Sequence, residues 1–257
     1  MNTTPDDPIA TARRALACLD LTRLNGDDTE ADIERLCQRA GSRFGPVAAV
    51  CVWPRLAGFA RRQLPASIRV AAVANFPEGD ADPERALRDI AAIAEAGAQE
   101  VDVVLPWRAL LAGDTAACAR VLAAARRAST GLTLKVILES GELRAPERIA
   151  EASRLALAEG ADFLKTSTGK TPTGATPEAA RVMLEAIAAD RASRAGFKAS
   201  GGVRTVADAA SYLALVAETL GEAACTPARF RIGASGLLDD IEAVLGGSAT
   251  LSAGAGY

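Results

Sequence analysis

Lysine is scarce in this chain, and it stands where a surface cation would not. Lys and Arg together number 29 in 257 residues, yet lysine occurs only at Lys135, Lys165, Lys170 and Lys198. An ammonium group can lose its proton to its surroundings and then attack a carbonyl carbon. A guanidinium cannot, so the two are not interchangeable where an amine must act as a nucleophile. Three of the four lysines lie in short apolar runs: Leu134-Lys135-Val136-Ile137-Leu138-Glu139, Phe163-Leu164-Lys165-Thr166 and Phe197-Lys198-Ala199-Ser200. Another run, Val101-Asp102-Val103-Val104-Leu105, holds an acid in the same way. Burying such charges unpaired is costly, so Asp102, Lys135, Lys165 and Lys198 are expected to meet. Crowded, desolvated lysines bind protons less well, which supplies the neutral amine of Schiff-base chemistry. The competing reading is a buried ion-pair network, with Asp102 paired to Lys135. It leaves two lysines on adjacent strands to repel each other.

Histidine is absent. Its absence removes the commonest general base, the Ser–His and Cys–His pairs and most transition-metal sites. Acid–base work falls to Asp, Glu, Lys, Tyr or Cys. The cysteines (Cys18, Cys37, Cys51, Cys118, Cys225) are odd in number and lack C-x-x-C spacing, so they are expected to be reduced core residues. A net charge of −3 with interspersed signs gives no electrostatic footprint for nucleic acid or membrane. The opening segment lacks a signal-peptide core, and no stretch approaches the roughly 18 apolar residues of a membrane helix. A soluble, cytoplasmic protein is expected.

The elements that must position these residues alternate. Short β-rich runs fall at Ala17–Leu21, Val47–Trp53, Ile68–Ala74, Glu100–Leu105, Thr133–Leu138, Asp162–Thr166, Gly196–Ser200 and Arg229–Ile232, with helical Ala/Leu/Arg/Glu segments between them. Asp82-Pro83-Glu84 starts a helix with an N-cap, a first-position proline and an acid for the dipole. Leu87, Ile90, Ala91 and Ala94 mark its apolar face, and Gly97 stops it. Thr176-Pro177-Glu178 repeats that start, with Ala180, Met183, Leu184 and Ile187 as the stripe. Eight strand–helix units at a spacing of roughly 30 residues predict an α/β fold of the (β/α)8 TIM-barrel type. An open doubly wound sheet would need fewer strands and a Gly-rich first loop, where Thr22-Arg23-Leu24-Asn25 stands instead. Residues 1–245 are expected to form one barrel domain with an extra N-terminal helix. Residues 246–257, rich in Gly, Ser and Ala and ending in Tyr257, read as a flexible tail.

In such barrels chemistry lies at the C-terminal strand ends, and the last two loops commonly hold phosphate. Here those loops read Ser200-Gly201-Gly202-Val203-Arg204-Thr205 and Gly233-Ala234-Ser235-Gly236-Leu237. Gly169-Lys170-Thr171 imitates the end of a nucleotide-binding P-loop, but Leu164 occupies the first glycine position and a strand lysine lies inside the loop, so that reading fails.

With Leu19-Asp20-Leu21-Thr22, Glu100-Val101-Asp102, Ala161-Asp162-Phe163-Leu164-Lys165-Thr166-Ser167-Thr168-Gly169 and Lys198-Ala199-Ser200-Gly201-Gly202-Val203-Arg204-Thr205, the chain resembles the 2-deoxyribose-5-phosphate aldolase family from its first strand to its end. The resemblance implies a lyase, a class I aldolase that reversibly cleaves 2-deoxy-D-ribose 5-phosphate to acetaldehyde and D-glyceraldehyde 3-phosphate without metal or cofactor. It implies that Lys165 forms the imine and that Lys198 lowers the Lys165 pKa and assists proton transfer. Asp102 would exchange protons through a water, oriented by Lys135. Asp20, Cys51 and Thr168 fall at substrate-binding positions, and Lys170, Gly201, Gly202, Gly233 and Ser235 serve the phosphate. Gly236 stands where the family often has a second serine, which removes one hydroxyl donor. Tyr257 matches a tail tyrosine that relays a proton to the enamine carbon. Partners are phosphosugars and aldehydes, with a homo-oligomer, a dimer, also implied. A transaldolase-like barrel and a non-catalytic phosphosugar-binding barrel are the alternatives.

Overall fold

The computed structural model describes residues 7–190 and 194–247. Eight parallel strands pair in chain order and close on themselves: β1 (Leu19–Thr22), β2 (Ala49–Val52), β3 (Arg69–Ala74), β4 (Glu100–Val104), β5 (Thr133–Ile137), β6 (Phe163–Lys165), β7 (Gly196–Ser200) and β8 (Phe230–Ala234). Around them lie α1 (Pro8–Ala17), α2 (Glu30–Ala40), α3 (Pro54–Gln63), α4 (Pro83–Glu95), α5 (Trp107–Leu111), α6 (Thr115–Ala128), α7 (Ser140–Leu143), α8 (Pro146–Ala158), α9 (Pro177–Ala189), α10 (Val206–Leu220) and α11 (Leu237–Leu245). This is the (β/α)8 barrel, and α1 is the extra N-terminal helix, packed against α10 and α11. Because helices cover the outside and side chains fill the inside, β2, β4 and β7 are buried along their whole length. They therefore read as continuous rather than alternating apolar runs, and a charged residue within them stands out.

The helix starts behave as their sequences dictate. The Asp82 carboxylate accepts from the Glu84 N–H at 3.0 Å with Pro83 behind it, and the Thr176 hydroxyl accepts from the Ala179 N–H at 3.2 Å. In α9 the expected stripe of Ala180, Met183, Leu184 and Ile187 is buried. In α4 the buried face is instead Ala86, Ile90 and Ile93, while Ala91 and Ala94 face solvent. Ile93 offers more apolar area than either alanine, so the helix turns to bury it.

Every strand but β7 departs from its expected run by one or two residues at one or both ends, and two of the shifts have plain local reasons. The first strand starts at Leu19 rather than Ala17, because α1 continues through Ala17 and the Cys18 N–H caps it by donating to Arg14 and Ala15 carbonyls. The last strand runs on to Ala234, because Gly233 and Ala234 pair with Asp20 and Leu21. All five cysteines are free and buried. Gly246 and Gly247 still belong to the end of α11, their N–H groups donating to the Glu242 and Val244 carbonyls. The rest of the expected tail, with Tyr257, lies outside the described residues. Among the described residues no helix is long and apolar enough to cross a membrane.

Candidate active site

Strand register puts Asp102 beside Lys135, Lys165 beside Lys198, and Lys198 beside Arg231. Side chains of one face then converge on the barrel axis. Asp102 is the hub: its Oδ1 accepts from Lys135 Nζ at 2.8 Å, and its Oδ2 accepts from both Lys165 Nζ and Lys198 Nζ at 2.8 Å. Lys198 also donates to Asp20, and Lys135 pairs with Glu100 at 2.6 Å. Arg231 closes the layer with a two-pronged contact to Glu100, at 2.7 and 3.1 Å, and a bond to Asp20 at 2.6 Å.

Electrostatics follow from this interleaving. Burial alone would raise the Asp102 carboxyl, but Lys135, Lys165 and Lys198 together hold it well below the usual carboxylate range. Burial would likewise strip Lys198 of its proton, yet Asp102 and Asp20 outweigh it and hold Lys198 protonated beyond the ordinary lysine range. Asp102 and Glu100 do the same for Lys135. Lys135 and Lys198 thus do not depress one another as neighbouring lysines were expected to: Asp102 lies between them, with Glu100 and Asp20 as their further partners. Glu100 and Arg231, which carry a third of that balance, were not among the expected site residues. Lys135, Lys198 and Arg231 match Asp20, Glu100 and Asp102 charge for charge. Lys165 is the clustered amine with a single carboxylate partner, Asp102, which it shares with Lys135 and Lys198. Around Cys51, burial and the nearby Asp102 push the thiol up, so it is present as a neutral group.

Above this layer opens a cavity of about 810 Å³ at the C-terminal end of the barrel. Lys165, Thr168, Lys170, Gly201, Gly202, Gly233 and Ser235 line it. Of the clustered amines, only Lys165 reaches it, at 3% exposure against none for Lys135 and Lys198. Asp20, Cys51 and Lys135 do not line the cavity. They are fully buried, their polar atoms turned into the charged layer or toward Asp102. Asp102 and Lys198 belong to that layer too, immediately beneath Lys165.

The far wall suits an anion. Gly201 and Gly202 take successive positive φ values of +83° and +89°, a conformation that leaves backbone N–H groups free to face a ligand and that glycine adopts without strain. The helix α11 begins at Gly236 with no side-chain cap, so its first N–H groups and dipole are open to negative charge. Lys170 and Arg204 add cationic side chains at the rim. Lys170 Nζ donates to the Leu24 carbonyl at 2.7 Å, spanning from the loop after β6 to the loop after β1.

That β6 loop is held by Glu139, a residue to which sequence reasoning gave no role. Glu139 is buried in the left-handed backbone region at φ 56°. It accepts from the Thr168 hydroxyl at 2.5 Å, from the Thr168 N–H at 3.2 Å and from the Thr171 hydroxyl at 3.3 Å. The Thr168 oxygen in turn accepts from the Lys170 N–H at 3.0 Å. Thr168 therefore spends its proton on Glu139 and serves mainly to link the loop to β5.

A lysine bonded to a carboxylate at the floor of a cavity whose opposite wall suits an anion is a plan for imine chemistry on a phosphorylated carbonyl compound. The comparisons agree. The model for the DeoC/LacD family aldolase matches residues 14–241. A curated deoxyribose-phosphate aldolase from Agrobacterium fabrum is 46% identical over 253 residues, 97% of each chain. The apo-form crystal structure of a candidate deoxyribose-phosphate aldolase from Toxoplasma gondii superposes with a TM-score of 0.85 at 26% identity, covering 94% of this chain and 99% of that one. A corresponding structure from Coccidioides immitis gives 0.77 at 28% identity over 89% and 85%. By sequence along nearly its whole length, and by fold, the chain belongs to the DeoC/LacD aldolase family.

Proposed function

We propose that this enzyme reversibly cleaves 2-deoxy-D-ribose 5-phosphate to acetaldehyde and D-glyceraldehyde 3-phosphate through an imine on Lys165. The observation that carries the reading is the position of Lys165: of the clustered amines it alone lines the cavity, and it pairs with Asp102 alone where Lys135 and Lys198 have further carboxylate partners. The neutral amine attacks the C1 aldehyde of the open-chain sugar, and loss of water leaves an iminium. The C3 hydroxyl proton passes through a water to Asp102, with Lys198 as the adjoining acid. The C2–C3 bonding pair then moves into the iminium to give an enamine, and glyceraldehyde 3-phosphate departs. Protonation at C2 and hydrolysis release acetaldehyde and restore Lys165. Lys170, Gly201, Gly202, Gly233 and Ser235 hold the phosphate, whose binding positions C1 at the amine. Asp20, Lys135, Glu100 and Arg231 fix the charges beneath.

The working unit in this reading is one domain of residues 1–245. In the same reading Tyr257, in the expected tail beyond Gly247, serves as a proton relay to the enamine carbon. A homodimer in the cytoplasm is inferred from the resemblance alone.

Borohydride reduction in the presence of acetaldehyde tests the central step. An N-ethyl group on the peptide containing Lys165 is expected. Absence of any adduct, from acetaldehyde and from other carbonyl donors alike, would leave only the non-catalytic reading, and a chain modified by other donors but not by acetaldehyde would favour a transaldolase-like enzyme.

The Glu139 contacts give a second expectation. Glu139→Ala releases the loop that carries Lys170, so KM for the phosphorylated sugar should rise by about tenfold or more. Cleavage of unphosphorylated 2-deoxyribose should change far less. The wild type should also show KM rising toward acid pH. Burial raises the Glu139 carboxyl above its ordinary range against the bonds from Thr168 and Thr171, and protonation removes the acceptor that those donors share. A KM that stays flat across that range, or equal losses on both sugars, would detach Glu139 from phosphate binding.

A further inference from the structure

Among the described residues, three buried hydroxyls at the C-terminal strand ends have no hydrogen-bond partner: those of Ser140, Ser167 and Ser200. Ser140 and Ser167 do not line the cavity, whereas Ser200 does. A buried hydroxyl without a partner destabilises the protein that carries it, so its place in a cavity wall calls for an explanation.

The backbone at Ser200 is tightly fixed. Its N–H donates to the Thr166 hydroxyl oxygen at 2.9 Å, the same hydroxyl donates back to the Ser200 carbonyl at 3.0 Å, and the Ala175 N–H donates to that carbonyl at 3.0 Å. Ser200 stands two residues beyond Lys198, so both side chains leave β7 on its inner face. Its cross-strand neighbour is Gly233. A Cβ built on Gly233 would fall 2.3 Å from Ser200 Oγ and 3.0 Å from Lys198 Cε. The chain thus keeps glycine at 233, and the room so left is filled by the Ser200 hydroxymethyl group. Along the chain Ser200 stands between Lys198, at the cavity floor, and the Gly201–Gly202 loop that begins at the next residue.

We propose that the Ser200 hydroxyl is the hydrogen-bond partner of the substrate's C4 hydroxyl, the group midway between the imine carbon and the phosphate. This assignment rests on the aldolase reading above. It makes Ser200 a specificity residue: it favours acceptor aldehydes that carry a hydroxyl next to the carbonyl carbon, because that hydroxyl becomes the C4 hydroxyl of the product.

The test runs the reaction in the aldol direction, with acetaldehyde as donor and two acceptors. D-glyceraldehyde 3-phosphate carries the hydroxyl, and 3-oxopropyl phosphate has the same aldehyde and phosphate without it. The ratio of kcat/KM for the first acceptor to that for the second should fall about tenfold in Ser200→Ala, as expected for one lost hydrogen bond. An unchanged ratio, whatever the common loss, overturns the assignment. The wild type keeps the proposal falsifiable should the variant fold poorly, since it must itself prefer the hydroxylated acceptor, and equal rates overturn the assignment as well. A wild type inactive toward both acceptors would instead overturn the aldolase reading and this assignment with it.

Discussion

Lys165→Arg is expected to abolish turnover, lowering kcat on the order of 10⁵-fold or more, the scale on which covalent nucleophiles act, while the protein still folds. Arginine keeps the positive charge, and its guanidinium can still pair with Asp102, now accepting from Lys165 at 2.8 Å. The longer side chain has the cavity to extend into, and overpacking costs only about 1–3 kcal/mol. What is lost is an amine able to exist unprotonated, since a guanidinium keeps its proton at any working pH. Steady-state assay of the cleavage reaction, a thermal melt and borohydride trapping with acetaldehyde together check this. A variant that turns over at the wild-type rate would remove Lys165 from the chemistry.

Asp102→Asn should be nearly as damaging, and in two separate ways. Proton transfer to and from the substrate loses its acceptor, at a cost in kcat of about 10²–10⁴-fold. The cluster also loses the carboxylate shared by three ammonium groups. Even with Lys165 neutral, Lys135, Lys198 and Arg231 would then face only Asp20 and Glu100. Breaking a buried pair in this manner costs about 3–5 kcal/mol. The pH signature separates the two effects. Asp102 is held well below its ordinary range in the folded protein. Its contribution to stability is therefore complete above the unfolded pKa of about 4 and disappears as pH falls toward the folded value. Urea unfolding at neutral pH should show the deficit in the variant, and at acid pH the two proteins should converge. A variant as stable as wild type at neutral pH would mean that the three lysines find other partners.

The barrel was legible because its elements obey simple local rules. Asp82-Pro83-Glu84 and Thr176-Pro177-Glu178 announce helices, and charged residues inside β-branched runs announce strands whose ends do chemistry. Lys165 and its neighbours were legible for the same reason: a lysine between Leu164 and Thr166 has no business on a surface. The counter-charges were less visible. Asp20 meets Arg231 across 211 residues of sequence, a contact that exists only because β8 closes onto β1 in one register. Arg231 sits between Phe230 and Ile232 as plainly as Lys198 sits between Phe197 and Ala199, but in a chain so rich in arginine it carried no signal of its own. Without it and Glu100, the lysines seemed bound to depress one another. Glu139 and Ser200 were hidden for another reason. Their parts depend on a left-handed backbone in one case and on an unfilled hydrogen bond in the other, and neither is written in residue order.

The scarcity of lysine has a consequence beyond the nucleophile. Simple aldehydes form imines with any exposed primary amine, so a protein that handles acetaldehyde is exposed to gradual adduct formation over its own surface. Here that surface is dressed in arginine. Among the described residues, Lys170 is the one lysine whose amine lies outside the buried charged layer, and in the proposed reaction the substrate's phosphate covers it. For the same reason, attachment to aldehyde-activated supports through side-chain amines would seize the protein at the mouth of its own cavity, and a tether elsewhere would be the sounder choice.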